Sequence, residues 1–173
     1  MVRIILNGCN GHMGQVISRL VAEDKETEIV AGIDLADKGI HAYPVFTEIS
    51  ACDVQADVMI DFSSAKAVDN ILDFCKAKKL PLVLCTTGLS EKQLEKVTET
   101  AKETAVLRSA NMSLGINTLL KLLQEAAKVL AEAGFDMEIV ERHHNLKIDA
   151  PSGTALALAD SLNEAMDNQY HYV

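Results

Sequence analysis

The chain has 173 residues, of which 49% are apolar and 24% charged, with a formal net charge of −9. That length and composition suffice for one large domain or two small ones with a real core, and the acidic balance disfavours nucleic acid and anionic membranes as partners. No apolar run approaches the roughly 20 residues of a membrane span, and the start MVRIILNG has no signal-peptide h-region, so a cytoplasmic protein is expected.

Residues 1–108 read as alternating strands and helices. Val2–Leu6 is taken as a continuous apolar run, as in a strand buried on both faces. Met13, Val16, Ile17, Leu20 and Val21 then recur at helical spacing. Ile29–Ile33 is a second apolar run ending at Asp34, and Tyr43–Phe46 is a short candidate strand. Val58–Ile60 is the next strand, with Ser63 or Ser64 as the expected N-cap of a helix that places Val68, Ile71, Leu72 and Cys75 on one face. Pro81 introduces the strand Leu82–Cys85, and Ser90 with Gln93 forms a capping box for the helix from Glu91. Ala105–Leu107 closes the series. Strands alternating with helices imply a doubly wound parallel α/β sheet.

The character changes near Asn111. A helix from Ile116 to Leu130 carries Leu119, Leu120, Leu123, Ala127 and Leu130. One strand is expected near Met137–Val140, then a polar turn and a helix from about Ser152 to Met166. A single strand cannot make a stable sheet, so this α+β part is incomplete: either partner strands come from another subunit or, as preferred here, the natural chain is expected to continue beyond Val173. The predicted domains are a dinucleotide-binding domain, 1–112, and a substrate-binding and catalytic domain, 113–173.

Gly8-Cys9-Asn10-Gly11-His12-Met13-Gly14 joins the first strand to the first helix. Glycines there permit a tight turn and let backbone N–H groups approach a pyrophosphate at a helix N-terminus. The same glycines could serve a tight turn alone. Asp34, twenty residues after Gly14 at the end of strand two, stands where an acid would bind ribose hydroxyls, which makes the fold Rossmann-type. Its carboxylate repels a 2′-phosphate and Leu35 follows it. NADH is therefore favoured, with NADPH tolerated if Lys38 or His12 swings in. In open α/β sheets ligands lie beyond the carboxyl ends of the strands. Asp61-Phe62-Ser63, Cys85-Thr86-Thr87-Gly88 and Ser109-Ala110-Asn111-Met112 should accordingly line the nicotinamide end of the groove.

A second constellation runs from Glu141 to Thr154. His143, His144 and Lys147 put two possible proton donors and a fixed cation in one loop. Ser152-Gly153-Thr154 then begins a helix whose N–H groups and two hydroxyls suit a carboxylate. The His-His pair could ligate a metal, but no companion Cys/His cluster and no HExxH pattern accompanies it, so no metal is expected. Cys9, Cys52, Cys75 and Cys85 lie scattered with no CxxC pair, which argues against a disulfide framework.

The segment ERHHNLKIDAPSGTA, Glu141 to Ala155, resembles the dihydrodipicolinate reductase signature EXHHXXKXDAPSGTA. The glycine loop, DFS at 61–63, TTG at 86–88 and SANMSLGIN at 109–117 follow in the family's order. The resemblance covers the whole chain. It implies an oxidoreductase of lysine and diaminopimelate biosynthesis that uses NADH, NADPH or both to reduce a cyclic dicarboxylate, 4-hydroxy-tetrahydrodipicolinate. It also implies a homotetramer when full length. Carried over by position, His143 is the proton donor/acceptor, Lys147 the second catalytic donor and His144 a substrate contact, while Gly153 and Thr154 hold a substrate carboxylate. Gly8, Cys9, Asn10, Gly11, His12, Met13, Asp34, Cys85, Thr86, Thr87, Ser109, Ala110, Asn111 and Met112 are implied to bind cofactor. The sequence departs from the family where His12 replaces arginine and Cys85 replaces glycine. Two other readings compete: another nicotinamide-dependent dehydrogenase of amino or keto acids, and a non-catalytic dinucleotide-binding fragment.

Overall fold

Six strands, β1 (Val2–Asn7), β2 (Thr27–Ile33), β3 (Val45–Phe46), β4 (Val58–Asp61), β5 (Leu82–Leu84) and β6 (Val106–Arg108), make one sheet in this computed structural model. Its order is β3-β2-β1-β4-β5-β6 and every pairing is parallel. The structure describes residues 1–145, 147 and 150–172. Helices α1 (His12–Glu23), α2 (Val68–Lys78) and α3 (Glu91–Ala101) connect the strands. The order reverses between β1 and β4, and a ligand crevice belongs at the carboxyl ends of the strands at such a reversal. The doubly wound parallel sheet read from the sequence is the architecture found.

The chain divides into two compact units, Met1–Ser109 and Ala110–Val173. In the first, Ile5, Met59, Leu82 and Leu84 from the strands pack with Val68, Ile71, Leu72 and Cys75 of α2. The predicted α2 face is thus the buried one. The predicted α1 stripe is less so. Gly14 is the buried residue of α1, while Met13 and Leu20 are exposed. Arg3 interrupts the run expected to be continuous in β1. It lies at the strand's open end and donates from Nε and Nη2 to the Asp57 carboxylate at 3.1 and 2.8 Å.

Two cap expectations differ in outcome. The Ser90–Gln93 capping box forms as expected. Ser64 instead caps a 3₁₀ turn, Ala65–Ala67, and its side chain makes no capping bond. Ser63 turns inward to Asp61.

The second unit contains α4 (Leu114–Glu132) and α5 (Gly153–Ala165), which pack on each other. Leu120, Leu123 and Ala127 face inward, whereas Leu114, Leu122 and Val129 are exposed. The strand expected at Met137–Val140 is not formed, and this unit has no strand among the described residues. A strand needs a hydrogen-bonded neighbour, and no segment here pairs with it. Among the described residues no helix is long and apolar enough to cross a membrane.

Candidate active site

In the first unit a cleft of about 650 Å³ opens at the carboxyl ends of β1, β2 and β4. Gly8, Asn10, Gly11, Asp34 and Phe62 line it, as do Lys38, Lys66 and Asn70. Gly8 adopts φ +79°, and a β-carbon there would strike the Phe62 carbonyl. A β-carbon at Gly14 would strike the carbonyl oxygens of Gly8 and Cys9. These two positions let the loop fold back on β1 while α1 starts immediately beside it.

The loop is tied to the end of β2. Gly8 and Cys9 donate N–H to the Ile33 carbonyl at 2.8 and 3.4 Å. Asn10 N–H donates to Asp34 Oδ2 at 2.8 Å, and Leu35 N–H donates to Asp34 Oδ1 at 2.7 Å. With the Gly11 N–H donating to the Gly8 carbonyl at 3.1 Å, four of the N–H groups expected to meet a pyrophosphate are engaged within the protein. The remaining donors are those of the first turn of α1. Gly11 offers no side-chain cap, and His12 and Met13 are exposed there. First-turn N–H groups have no intrahelical acceptor, so this end of α1 suits a diphosphate. Asp34, held by two N–H donors, keeps lone pairs for ribose hydroxyls. These residues fit a dinucleotide.

Several expected cofactor contacts have other duties. Cys9 is fully buried, with its sulfur against Gly32. Burial pushes its thiol up to about 11. Asn10 uses its amide to hold the Ala36 carbonyl at 2.7 Å and to meet His41 Nε2 at 3.1 Å. Cys85 is also buried and its thiol, raised by burial and then by Asp61, stands at about 11, which keeps it protonated at neutral pH. Thr87 is exposed, and Ser109 N–H donates to the Leu84 carbonyl.

Asp61 organises this end of the sheet. It is completely buried at the end of β4. Its carboxylate accepts from Asn7 Nδ2 at 2.7 Å, Ser63 Oγ at 2.6 Å and Thr86 Oγ1 at 2.6 Å. Thr86 Oγ1 in turn accepts the Ser63 N–H at 3.2 Å. One side chain thus joins the ends of β1, β4 and β5. Asp61 was expected, with Phe62 and Ser63, to line the nicotinamide end of the groove; its bracing of three strand ends was not foreseen. The missed signal was a carboxylate at the end of an apolar strand run, where burial demands several donors.

The second unit holds the histidine–lysine turn. Ser152 is the N-cap of α5, and its buried hydroxyl accepts the Ala155 N–H at 3.0 Å. That bond uses the hydroxyl as an acceptor and leaves its O–H as a donor. Gly153 and Thr154, both half-buried, supply the uncapped first-turn N–H groups. Thr154 Oγ1 accepts from Asn111 Nδ2 at 3.0 Å. Asn111, expected at the cofactor, is therefore joined to an expected substrate residue, and it also caps Ser113 N–H. Ala110 and Met112 flank it, with Met112 exposed. Glu141 Oε1 accepts the Ser152 N–H at 2.9 Å, and its other oxygen stands 3.5 Å from His143 Nδ1. His143 and His144 are exposed, Lys147 is half-buried, and Lys147 N–H donates to the His144 carbonyl at 3.2 Å. Leu146, Ile148 and Asp149 of the motif lie outside the described residues. No group of three or more His, Cys, Asp or Glu that could hold a metal occurs among the described residues.

Residues 2–112 match the family described as dihydrodipicolinate reductase, N-terminus, and residues 115–172 match dihydrodipicolinate reductase, C-terminus. The chain belongs to the dihydrodipicolinate reductase family. A relative from Caldanaerobacter subterraneus subsp. tengcongensis, named 4-hydroxy-tetrahydrodipicolinate reductase, is 49% identical over the whole chain, which spans 68% of that relative. One of the same name from Clostridium perfringens is 50% identical over 171 residues, covering 98% of this chain and 66% of the relative. A dipicolinate-bound dihydrodipicolinate reductase from Paenisporosarcina sp. TG-14 superposes with a TM-score of 0.73 at 28% identity. It covers all of this chain, which amounts to 69% of that structure. The chain thus spans about two thirds of the length of these family members.

Proposed function

We infer that this chain is an NAD(P)H-dependent 4-hydroxy-tetrahydrodipicolinate reductase of the lysine and diaminopimelate route. The observation that carries the reading is the start of α5. Gly153 and Thr154 present first-turn N–H groups in the same unit as His143 and Lys147, so an anion anchor, a proton donor and a cation come from one segment. A substrate carboxylate is held by the Gly153 and Thr154 N–H groups. The relative from Paenisporosarcina, bound to dipicolinate, supports a cyclic dicarboxylate as the ligand class.

When bound, the nicotinamide cofactor supplies the hydride. His12 and Met13 N–H groups receive its diphosphate and Asp34 accepts from its ribose hydroxyls. Hydride addition to a conjugated imine leaves an electron pair on the substrate. Lys147 stabilises that charge and His143 delivers the proton that neutralises it. Both NADH and NADPH fit. Asp34 and Leu35 favour the former, while Lys38 and Lys66 line the same cleft and can oppose a 2′-phosphate. We propose NADH as the preferred donor; a strong NADPH preference in compared KM values would overturn this. A homotetrameric, cytoplasmic full-length protein is part of the same proposal and rests on the family resemblance.

The test is substrate-dependent NADH oxidation by the full-length protein, with substrate generated enzymatically. Turnover is expected, and Lys147→Ala should lower kcat about a hundredfold while NADH affinity stays unchanged. Absence of turnover with His143 and Lys147 intact would overturn the reading.

A further inference from the structure

Glu141 opens the histidine–lysine segment and has no part in the reaction as described above. Its two oxygens nevertheless do different things. Oε1 accepts the Ser152 N–H at 2.9 Å and so fixes the residue that starts α5. Oε2 is shielded from solvent, lacks a hydrogen bond, and stands 3.5 Å from His143 Nδ1. The side chain as a whole is 28% exposed. A shielded carboxylate oxygen without a donor is costly. The nearby ring nitrogen is the donor that a small rotation would supply.

We propose that Glu141 is the positioning residue of the substrate site: one oxygen fixes the start of α5, and the other keeps a hydrogen on His143 Nδ1, so that Nε2 is the nitrogen that gives or takes the proton. This rests on His143 being the proton donor. The partner of one ring nitrogen decides which tautomer the imidazole adopts. A carboxylate only accepts, so Nδ1 must carry hydrogen in both the neutral and the charged ring. The carboxylate also stabilises the ring when it is charged. The bonds from Ser152, followed by the charges of His143 and Lys147, hold the Glu141 carboxyl below its ordinary range, which keeps it an acceptor at neutral pH. The same side chain thereby couples the distance between acid and anchor: the helix start that holds the substrate carboxylate and the ring that protonates the substrate hang from one group.

Glu141→Gln separates this role from a merely structural one. Its amide oxygen can still accept the Ser152 N–H, but its NH2 now faces Nδ1 and favours hydrogen on Nε2. The first readout is the ring nitrogen chemical shifts of His143 in isotopically labelled 173-residue chain, at a pH where the ring is neutral. The wild type should carry hydrogen on Nδ1 and Glu141→Gln on Nε2; the same tautomer in both overturns the proposal. The second readout is kcat of the full-length protein. Glu141→Gln should lower it roughly ten- to a hundredfold, with NADH affinity and α5 helicity unchanged. In a His143→Ala background the same substitution should cost nothing further, because the two residues act as a unit. Additive losses would make Glu141 a structural residue and overturn the proposal. A wild type without turnover would sink the reductase reading, while the tautomer measurement would still decide the Glu141–His143 contact.

Discussion

The two units build their sites on differently buried frames. In Met1–Ser109 the cleft is shaped largely by main chain at two glycine positions, a helix start and the ends of β1, β2 and β4, and the buried Asp61 carboxylate joins the ends of β1, β4 and β5. In Ala110–Val173 the proposed acid and cation are side chains on a turn beside a helix start, and among its described residues only Ala127, Ser152 and Ala155 are buried. A site cut from close-packed backbone depends on the stability of its unit. One presented by side chains on a helix start can lose its chemistry without losing its fold.

That contrast is open to test, and the largest effect belongs to the first unit. Gly14→Ala puts a carbon against the main-chain oxygens of Gly8 and Cys9, which cannot yield without moving the loop. It should destabilise the unit by roughly 3 kcal/mol and abolish measurable NADH binding by titration. Full affinity would show that the loop can be rebuilt. Asp61→Ala comes next. It strands the donors of Asn7, Ser63 and Thr86, and urea unfolding should reveal a loss of about 2–3 kcal/mol, with weaker NADH binding in proportion. Loss of affinity without loss of stability would place Asp61 at the cofactor instead.

In the second unit Ser152→Ala removes the α5 cap and should cost about 1 kcal/mol, with NADH affinity untouched. A fall in kcat beyond what the lost stability explains would give Ser152 a direct substrate contact as well. The smallest effect is at the amino end of β1. Hydrogen bonds from Arg3, from its side chain and then its backbone, hold the Asp57 carboxyl down at about 2. Its folded-state pKa is depressed, so the pair's contribution is present above the unfolded value near ~4 and is lost as pH falls through about 2. Both partners are exposed, so Asp57→Asn should lower Tm at neutral pH by no more than a few degrees, and the difference should vanish in strong acid. A difference that persists there would assign it to packing.

Much of the first unit was legible because buried parallel strands must be apolar and a helix face must repeat at its own period. Val68, Ile71, Leu72 and Cys75 fell where expected for that reason. Met13 and Leu20 did not, because Gly14 brings α1 to the sheet and turns the ends of the stripe outward. The strand expected at 137–140 failed because apolar content alone does not make a strand; a partner does. Asn10 and Thr86 were assigned to cofactor by position in a motif, and position does not reveal which protein groups their side chains also bond.

From the residues alone came the alternation of strands and helices, the loop that opens α1, the acid closing β2 and the family, since these depend on local pattern and motif. Left to the folded chain were the partners of polar side chains. Asp61 reaches Asn7 and Thr86 across 54 and 25 positions of sequence, and Glu141 reaches Ser152 across 11. Hydrogen bonds act over about 3 Å, and only tertiary packing brings residues so distant in sequence within that reach.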